Sequence, residues 1–358
     1  MTHDFLIIGG GIAGLSAAAE LAPLGATLVL EAEAHPAHHA SGRSAALYEP
    51  RYGLPPVVEL SLASRNGFDA LRGMLLPRGL MVVARADQRA EFDRDLTGFM
   101  LKEIAPEAAR SIVPILNPGT VAFAAIADHA WDIDTDLLIQ THIKRLRAAG
   151  GTLRCNARVS AITRQGGVWQ ITTPAGVESA RILINAAGAW ADQIAGMAGV
   201  VPKGITPYRR SMARIPAPGG QDVSGWPMIF GCGESWYAKP DAGALIVSPA
   251  EEDRAAPHDA WADDMVLAEG LARYEEMVTE PVTRMIANWA GLRSFSPDRV
   301  PVIGRDPGQP DFFWLAGQGG YGFQTSPAIA GLVADLLADR PTAFSAALLA
   351  QLAPDRFR

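Results

Sequence analysis

The sequence predicts an α/β fold in which a Rossmann-like domain, assembled from separate stretches, joins a mixed α+β domain with an antiparallel sheet. Three observations predict it. Residues 4–31 read as an apolar strand, a glycine turn, a helix of small residues and a second apolar strand, which is a complete βαβ unit. Arg181-Ile-Leu-Ile-Asn and Phe312-Phe-Trp-Leu-Ala have the unbroken apolar character of parallel strands buried on both faces. Residues 205–250 alternate as antiparallel strands do, over 208–215, 235–239 and 244–248.

The opening unit carries the most chemistry. Its turn is Gly9-x-Gly11-x-x-Gly14. Gly9 allows the tight exit from the strand, Gly11 lets a pyrophosphate approach the backbone, and Gly14 lets the helix pack closely on the sheet. The helix N-terminus offers N–H groups and a partial positive charge to phosphates. Glu31, twenty residues after Gly11, stands where an acid binds a ribose 2′-hydroxyl and disfavours a 2′-phosphate. Together these features point to a bound dinucleotide.

Further along, the pattern predicts helices over 55–71 and 89–103 flanking a strand at 79–85. A helix beginning at Asp134 or Thr135, with one of them as its cap, ends at Gly150-Gly151. Strands follow over 152–162 and 168–173, joined at Gly166-Gly167, and helices are predicted from Trp190, over 259–279 and over 326–337. The 358 residues exceed one typical core, so two domains are expected. Residues 1–78, 131–205 and 288–358 form the discontinuous nucleotide-binding domain, and 79–130 with 206–287 the substrate-binding domain.

Hydrophobic residues make up 49% of the chain, and the net charge is −7 with scattered Lys and Arg, which argues against a nucleic-acid surface. Cys155 and Cys232 form no CxxC, which argues against a dithiol relay or a zinc knuckle. No n-region or h-region opens the chain and no apolar run is long enough to span a bilayer, so a cytoplasmic protein without a transmembrane segment is expected. The sequence leaves the oligomeric state open.

Four motifs, in order along nearly the whole chain, carry a family resemblance: Ile7-Ile-Gly-Gly-Gly-Ile-Ala-Gly, Ser41-Gly-Arg-Ser-Ala-Ala, Ile184-Asn-Ala-Ala-Gly-Ala-Trp-Ala-Asp, and Ala290-Gly-Leu-Arg-Ser-Phe paired with Gly317-Gln-Gly-Gly-Tyr-Gly-Phe-Gln-Thr-Ser. Together they make the chain resemble the FAD-dependent glycine/D-amino-acid oxidase (DAO) family of glutathione-reductase-like flavoproteins. The similarity is greatest to bacterial D-amino-acid dehydrogenases of the D-arginine type. The resemblance implies FAD as cofactor. Gly317-x-Gly319-x-x-Gly322 repeats the glycine spacing, but no second strand follows its helix, so it is not another dinucleotide unit. Its helix N-terminus suits the pyrimidine end of a flavin, where a positive dipole stabilises the anionic reduced ring.

Along the cofactor the resemblance places Gly9, Gly11, Ile12, Ala13, Gly14, Glu31 and Ala32. It adds Arg43, Ser44 and Ala45 at the pyrophosphate and flavin, Val159 at the adenine through its backbone, and Ala187, Gly188 and Trp190. Gly319, Gly320, Tyr321 and Gln324 are expected to edge the isoalloxazine, with Gly322 and Thr325 beside them. Ala46 stands where a tethering His occurs in some relatives, so the FAD is expected to be non-covalent.

On the substrate side the resemblance implies an amino acid held by its carboxylate on Arg293, with Tyr237 and Arg210 assisting, Tyr52 roofing the pocket and Gly320 beside the reacting centre. A guanidinium fork fixes a carboxylate in two-point fashion and so aims Cα–H at flavin N5. Arg210 and its neighbour Arg209 lie on one strand and should point opposite ways. Leu47 and Leu80 stand where the arginine-using branch has His and Glu. An apolar or small side chain is therefore expected, with D-Arg and D-Lys poor substrates, unless Glu49 supplies a carboxylate from another direction.

The expected reaction removes a hydride from Cα of a D-amino acid, and the imino acid hydrolyses to a 2-oxo acid and ammonia. No protein base is assigned, because the substrate can bind as the free amine or lose its proton through water. The electron acceptor is oxygen or a quinone. The alternatives are a secondary-amine or glycine oxidase, a 2-hydroxy-acid dehydrogenase, or a non-catalytic flavin-carrying subunit. Asp132-x-Asp134-x-Asp136 lacks the later calcium-loop residues. His35, His38 and His39 read as a solvated loop rather than a metal site, with no acid or Cys at ligand spacing. Trp190 and Trp289 read as packing residues rather than catalytic ones.

Overall fold

The computed structural model describes residues 2–357. The opening unit forms strand Thr2–Ile8, helix Ile12–Leu21 and strand Thr27–Leu30. These strands lie parallel at the centre of an eight-stranded sheet. Thr152–Arg154 extends it beyond Thr27–Leu30, while Gly176–Asn185 lies parallel on the other edge of Thr2–Ile8. That long strand meets the hairpin Ala161–Gln165/Val168–Thr173 along its first half and Phe312–Ala316, parallel, along its second.

Glycine is required where this layer closes. Gly9 has φ +116°, and a Cβ there would sit 2.3 Å from the carbonyl oxygen of Ala186. A Cβ on Gly14 would sit 2.0 Å from the carbonyl oxygen of Gly9. The helix therefore rests directly on the strand turn. It also packs on helices Thr135–Ala148 and Gly322–Leu337 over an apolar core that includes Ile7, Leu15, Leu146 and Leu332. The opposite face of the sheet buries Trp169, Phe312 and Trp314.

A nine-stranded mixed sheet forms the second layer system. Thr206–Pro216 is its hub, antiparallel to both Ala244–Ser248 and Ala287–Phe295. Tyr237–Asp241, Met228–Gly231 and Leu80–Ala84 continue it. One face packs under helix Asp264–Glu276. The other, with Leu80, Met212, Met228, Phe230 and Tyr237, turns towards the first sheet.

Four predicted elements change. Helix Arg89–Gly98 ends early, because Met100 turns the chain at φ +52° into strand Lys102–Ile104, paired with Phe123–Ala127. The strand expected over 152–162 is two strands, broken where Asn156 adopts φ +53°. The helix expected over 259–279 begins at Asp264, where the Asp263 side chain accepts the N–H groups of Met265 and Val266. The last helix starts at Gly322 rather than Ser326, straight out of the glycine turn. Asp134 is the cap of Thr135–Ala148 and accepts the Leu137 N–H at 2.9 Å.

Gly14→Ala places a methyl group 2.0 Å from the Gly9 carbonyl oxygen, so that backbone must shift to admit it. It is expected to cost about 1–3 kcal/mol, read as a lowered thermal unfolding midpoint. An unchanged midpoint would mean the helix is free to shift.

Candidate active site

A single cleft with about 410 Å³ of open volume joins the two layer systems. From the first sheet and its loops it takes Gly9, Gly11, Ile12, Ala13, Glu31, Ala32, Arg43, Ser44, Ala45, Val159, Ala187, Gly188 and Trp190. The second sheet contributes Arg210, Tyr237 and Arg293, and the last glycine turn adds Gly319, Gly320, Gly322 and Gln324. Leu47, Glu49 and Tyr52 complete the shared wall.

The nucleotide half is pre-shaped by its own hydrogen bonds. Glu31 is buried and accepts the Gly10 N–H at 2.7 Å and the Glu33 N–H at 2.9 Å. Each carboxylate oxygen keeps a lone pair for a ribose hydroxyl. The Ser41 hydroxyl accepts the Ile12 N–H at 3.0 Å, so one of the helix N–H groups expected to be free is already taken. Arg43 departs further from expectation. Its guanidinium donates to the carbonyls of Ala260 (2.7 Å) and Ala290 (3.0 Å) and to Asp259, and so ties the cofactor loop to the second sheet. The Ser44 hydroxyl accepts the N–H of Ala46 at 3.1 Å.

Strand register builds the other half. Tyr208 pairs with Arg293 and Arg210 with Gly291, which puts both arginines on one face of the sheet. Arg209 points away, towards Asp253 at 2.8 Å. Arg210 borders the cleft, but it is committed to the Glu251 carbonyl at 2.8 Å and to Glu252 at 3.3 Å. Arg293 has no ion pair among the described residues. Burial works against its charge, but Tyr52, Tyr237 and Glu234 more than offset this and hold its pKa above the ordinary value. A Cβ built on Gly320 would lie 3.0 Å from Cζ of Arg293, so the bare glycine lets the guanidinium lie against the backbone. The Gly319 N–H holds that turn to the Ser294 carbonyl at 2.9 Å. Among the described residues the Tyr237 hydroxyl meets the Met212 sulfur alone, at 3.6 Å. Tyr52 donates to Glu234 at 2.8 Å, and its ring meets Phe99 and Tyr321.

Four expected residues do not border the cleft. Gly14 lies on the underside of the helix against the Gly9 carbonyl, Thr325 donates to the Tyr321 carbonyl at 2.8 Å, and Tyr321 packs between Tyr52 and Phe295. Leu80 faces the same side of its sheet as its partner Met228, but it is fully buried under the surrounding apolar side chains. Gln324 does reach the cleft, but its amide nitrogen ties the Tyr52 carbonyl (3.3 Å) to Ser61 (3.0 Å). The sequence reading missed Phe99, Met212, Met228, Phe230 and Glu234 in the wall, and His129 behind it. Glu234 sits at φ +55° in a tight turn three residues before Tyr237, and that offers no sequence signal.

Glu49 is the electrostatic exception. It is 3% exposed and borders the cleft. One oxygen accepts the Arg51 N–H at 2.9 Å, while Oε2 has no hydrogen-bond partner and lies 3.5 Å from His129 Nε2. Burial pushes its pKa up to about 7, against the pull of Arg51.

The aspartates of 132–136 have other work. Asp132 pairs with Arg78 and Lys239, and Asp134 is the helix cap. The histidine loop needs a correction. Folding brings Glu33 to His38 and His39, with His39 at 3.2 Å from it, while Asp259 also reaches both histidines. The acid comes from before the loop and from a distant segment, so histidine spacing did not reveal it.

Residues 4–336 match the family described as FAD dependent oxidoreductase. The human mitochondrial dimethylglycine dehydrogenase is 24% identical over 398 residues, covering 99% of this chain, which spans 44% of that protein's length. Glycine oxidase from Geobacillus kaustophilus superposes with a TM-score of 0.85 at 22% identity, covering 98% of both chains. L-proline dehydrogenase from P. horikoshii gives a TM-score of 0.85 at 22% identity over 99% of this chain and 98% of its own. Both structures share this fold. Among the described residues no helix is long and apolar enough to cross a membrane.

The folded chain keeps a proton on Glu49 that the unfolded chain releases between its ordinary pKa of 4.5 and about 7. Stability is therefore expected to fall as pH rises through that window, by at most on the order of 3 kcal/mol. Denaturant unfolding at pH 4.5, 6 and 8 is expected to show this decline in the wild type and a flatter profile in Glu49→Gln. Parallel profiles would contradict the buried-carboxylate account.

Proposed function

The chain belongs to the FAD dependent oxidoreductase family, and we propose that within it the protein oxidises a D-amino acid at Cα. Its cofactor is FAD. The cleft fits that group, because Gly9 and Gly11 leave the strand turn bare, Glu31 offers acceptors beside it, and the Gly322 helix start faces the far end. When bound, FAD supplies the hydride acceptor.

Arg293 carries the reading. A guanidinium that borders the cleft, lies against Gly320 and forms no ion pair among the described residues can grip a carboxylate in two-point fashion. The Tyr237 hydroxyl, free of any strong partner, adds a donor to the same carboxylate. Arg210, already engaged by Glu252, contributes field rather than direct grip. Tyr52, anchored on Glu234, closes the pocket over the substrate and excludes water. Held by its carboxylate on Arg293, the substrate would turn its Cα–H towards the bound cofactor. Loss of the hydride from the neutral amine leaves an imino acid, which water converts to a 2-oxo acid and ammonia. With Ala46 in the cofactor loop, FAD binds non-covalently. The electron acceptor would be oxygen or a quinone.

The D-amino-acid assignment rests on the four ordered motifs. A second reading, oxidation of a secondary amine or glycine, draws support from the likeness to glycine oxidase and dimethylglycine dehydrogenase. Both need the same carboxylate clamp, as does a 2-hydroxy-acid dehydrogenase. An intact clamp argues against a purely flavin-carrying role.

The test is anaerobic reduction of the FAD-loaded protein by D- and L-amino acids, N-methyl amino acids and 2-hydroxy acids, followed in the flavin absorbance. Selective bleaching by D-amino acids is expected. Bleaching only by N-methyl amino acids or glycine moves the protein to the second reading, and bleaching by none of the compounds overturns the assignment.

A further inference from the structure

The cluster at the histidine loop lies apart from the carboxylate clamp and takes no part in the reaction proposed above. One ligand atom from each of Glu33, His38 and His39 lies within 4.8 Å of the others. Glu33 follows strand Thr27–Leu30, and the two histidines stand in the loop that leads to Ser41. The fold brings these two stretches together.

The set has the chemistry of a transition-metal site. Two imidazoles and one carboxylate are a combination that zinc takes in open sites, with water in the fourth position. Imidazole suits zinc, copper and nickel, whereas magnesium and calcium take oxygen ligands. Ligands about 2.0–2.2 Å from a tetrahedral ion stand roughly 3.3–3.6 Å apart. His39 Nε2 and Glu33 Oε1 already stand 3.2 Å apart. Arg158 donates to the same Oε1 at 2.8 Å, but Glu33 Oε2 is neither hydrogen-bonded nor buried and is open to an ion. His38 is exposed, so its ring is free to swing the remaining distance.

A second carboxylate stands behind the ligands. Asp259 comes from a distant segment and lies 3.7 Å from His39 Nδ1 and 3.5 Å from His38 Nε2. His39 Nδ1 has no hydrogen-bond partner among the described residues, and Asp259 is the acid it faces. Such a carboxylate fixes the ring and tautomer of a ligating histidine and strengthens it as a ligand. Arg43 binds Asp259 and holds it in this place.

We propose that Glu33, His38 and His39 bind one divalent transition-metal ion of the zinc class, with Asp259 orienting His39 from behind. The ion takes the place of the proton shared between His39 and Glu33 and fastens the end of the second strand to the cofactor loop.

Calorimetric titration of the FAD-loaded protein with zinc chloride tests this, with flavin content as the check that each variant is folded. Saturable binding of one zinc per chain is expected in the wild type, with no competition from magnesium. His38→Ala and Glu33→Gln are each expected to weaken it at least about 10-fold, and Asp259→Asn, which keeps all three ligands, by roughly 10- to 100-fold. His35→Ala, in the same loop but outside the cluster, is expected to bind zinc as the wild type does. Absence of saturable zinc binding in the wild type overturns the proposal, whatever the variants do. So does zinc binding that survives unchanged in His38→Ala and Glu33→Gln, which would place the ion elsewhere.

Discussion

The close approach of Arg293 to the bare backbone at Gly320 is the constraint on which the site depends. Two segments from different layers meet there, the end of strand Ala287–Phe295 and the turn that starts helix Gly322–Leu337. The Gly319 N–H bond to Ser294 fixes their spacing. Any side chain at Gly320 would press on the guanidinium at about van der Waals contact or closer, with Cζ at 3.0 Å from a built Cβ. Among the described residues no carboxylate forms an ion pair with Arg293, and its guanidinium borders the cleft. Arg210 on the same sheet face is compensated by Glu252, and so the two arginines differ in what they can bind.

The same economy of side chains shapes the nucleotide half. Gly9 and Gly14 allow strand, turn and helix to nest, while Glu31 and Ser41 fasten the loops around them. Arg43 then pins that half to the second sheet through Ala260, Ala290 and Asp259. Cofactor and substrate regions are therefore held in one frame, which an oriented hydride transfer requires. The apolar face of the second sheet closes the frame, with the buried Glu49 beside it.

Legibility followed the range of the interactions. The βαβ unit was readable because its glycines, apolar runs and acid are local and period-bound. The alternation of Arg209 and Arg210 was readable for the same reason, since a strand period of two decides which one turns inward. What the sequence hid were consequences of packing between distant segments. Met100 and Asn156 turn the chain at positive φ without a glycine to announce it. Leu80 occupies the expected strand and face, but neighbours brought together by folding cover it. Arg43 and Gln324 reach the cleft, yet their polar groups are spent on cross-links that only the tertiary structure reveals. Glu33 joins the histidine loop by the same route.

The most direct test of the central claim is single-turnover flavin reduction in Arg293→Gln, with whichever substrate reduces the wild-type protein. Full FAD content is expected, with a second-order reduction rate lower by roughly 100-fold or more, the scale of losing a buried charged contact of about 3 kcal/mol or greater. Reduction within a few-fold of wild type would show that the carboxylate is held elsewhere and would contradict the account.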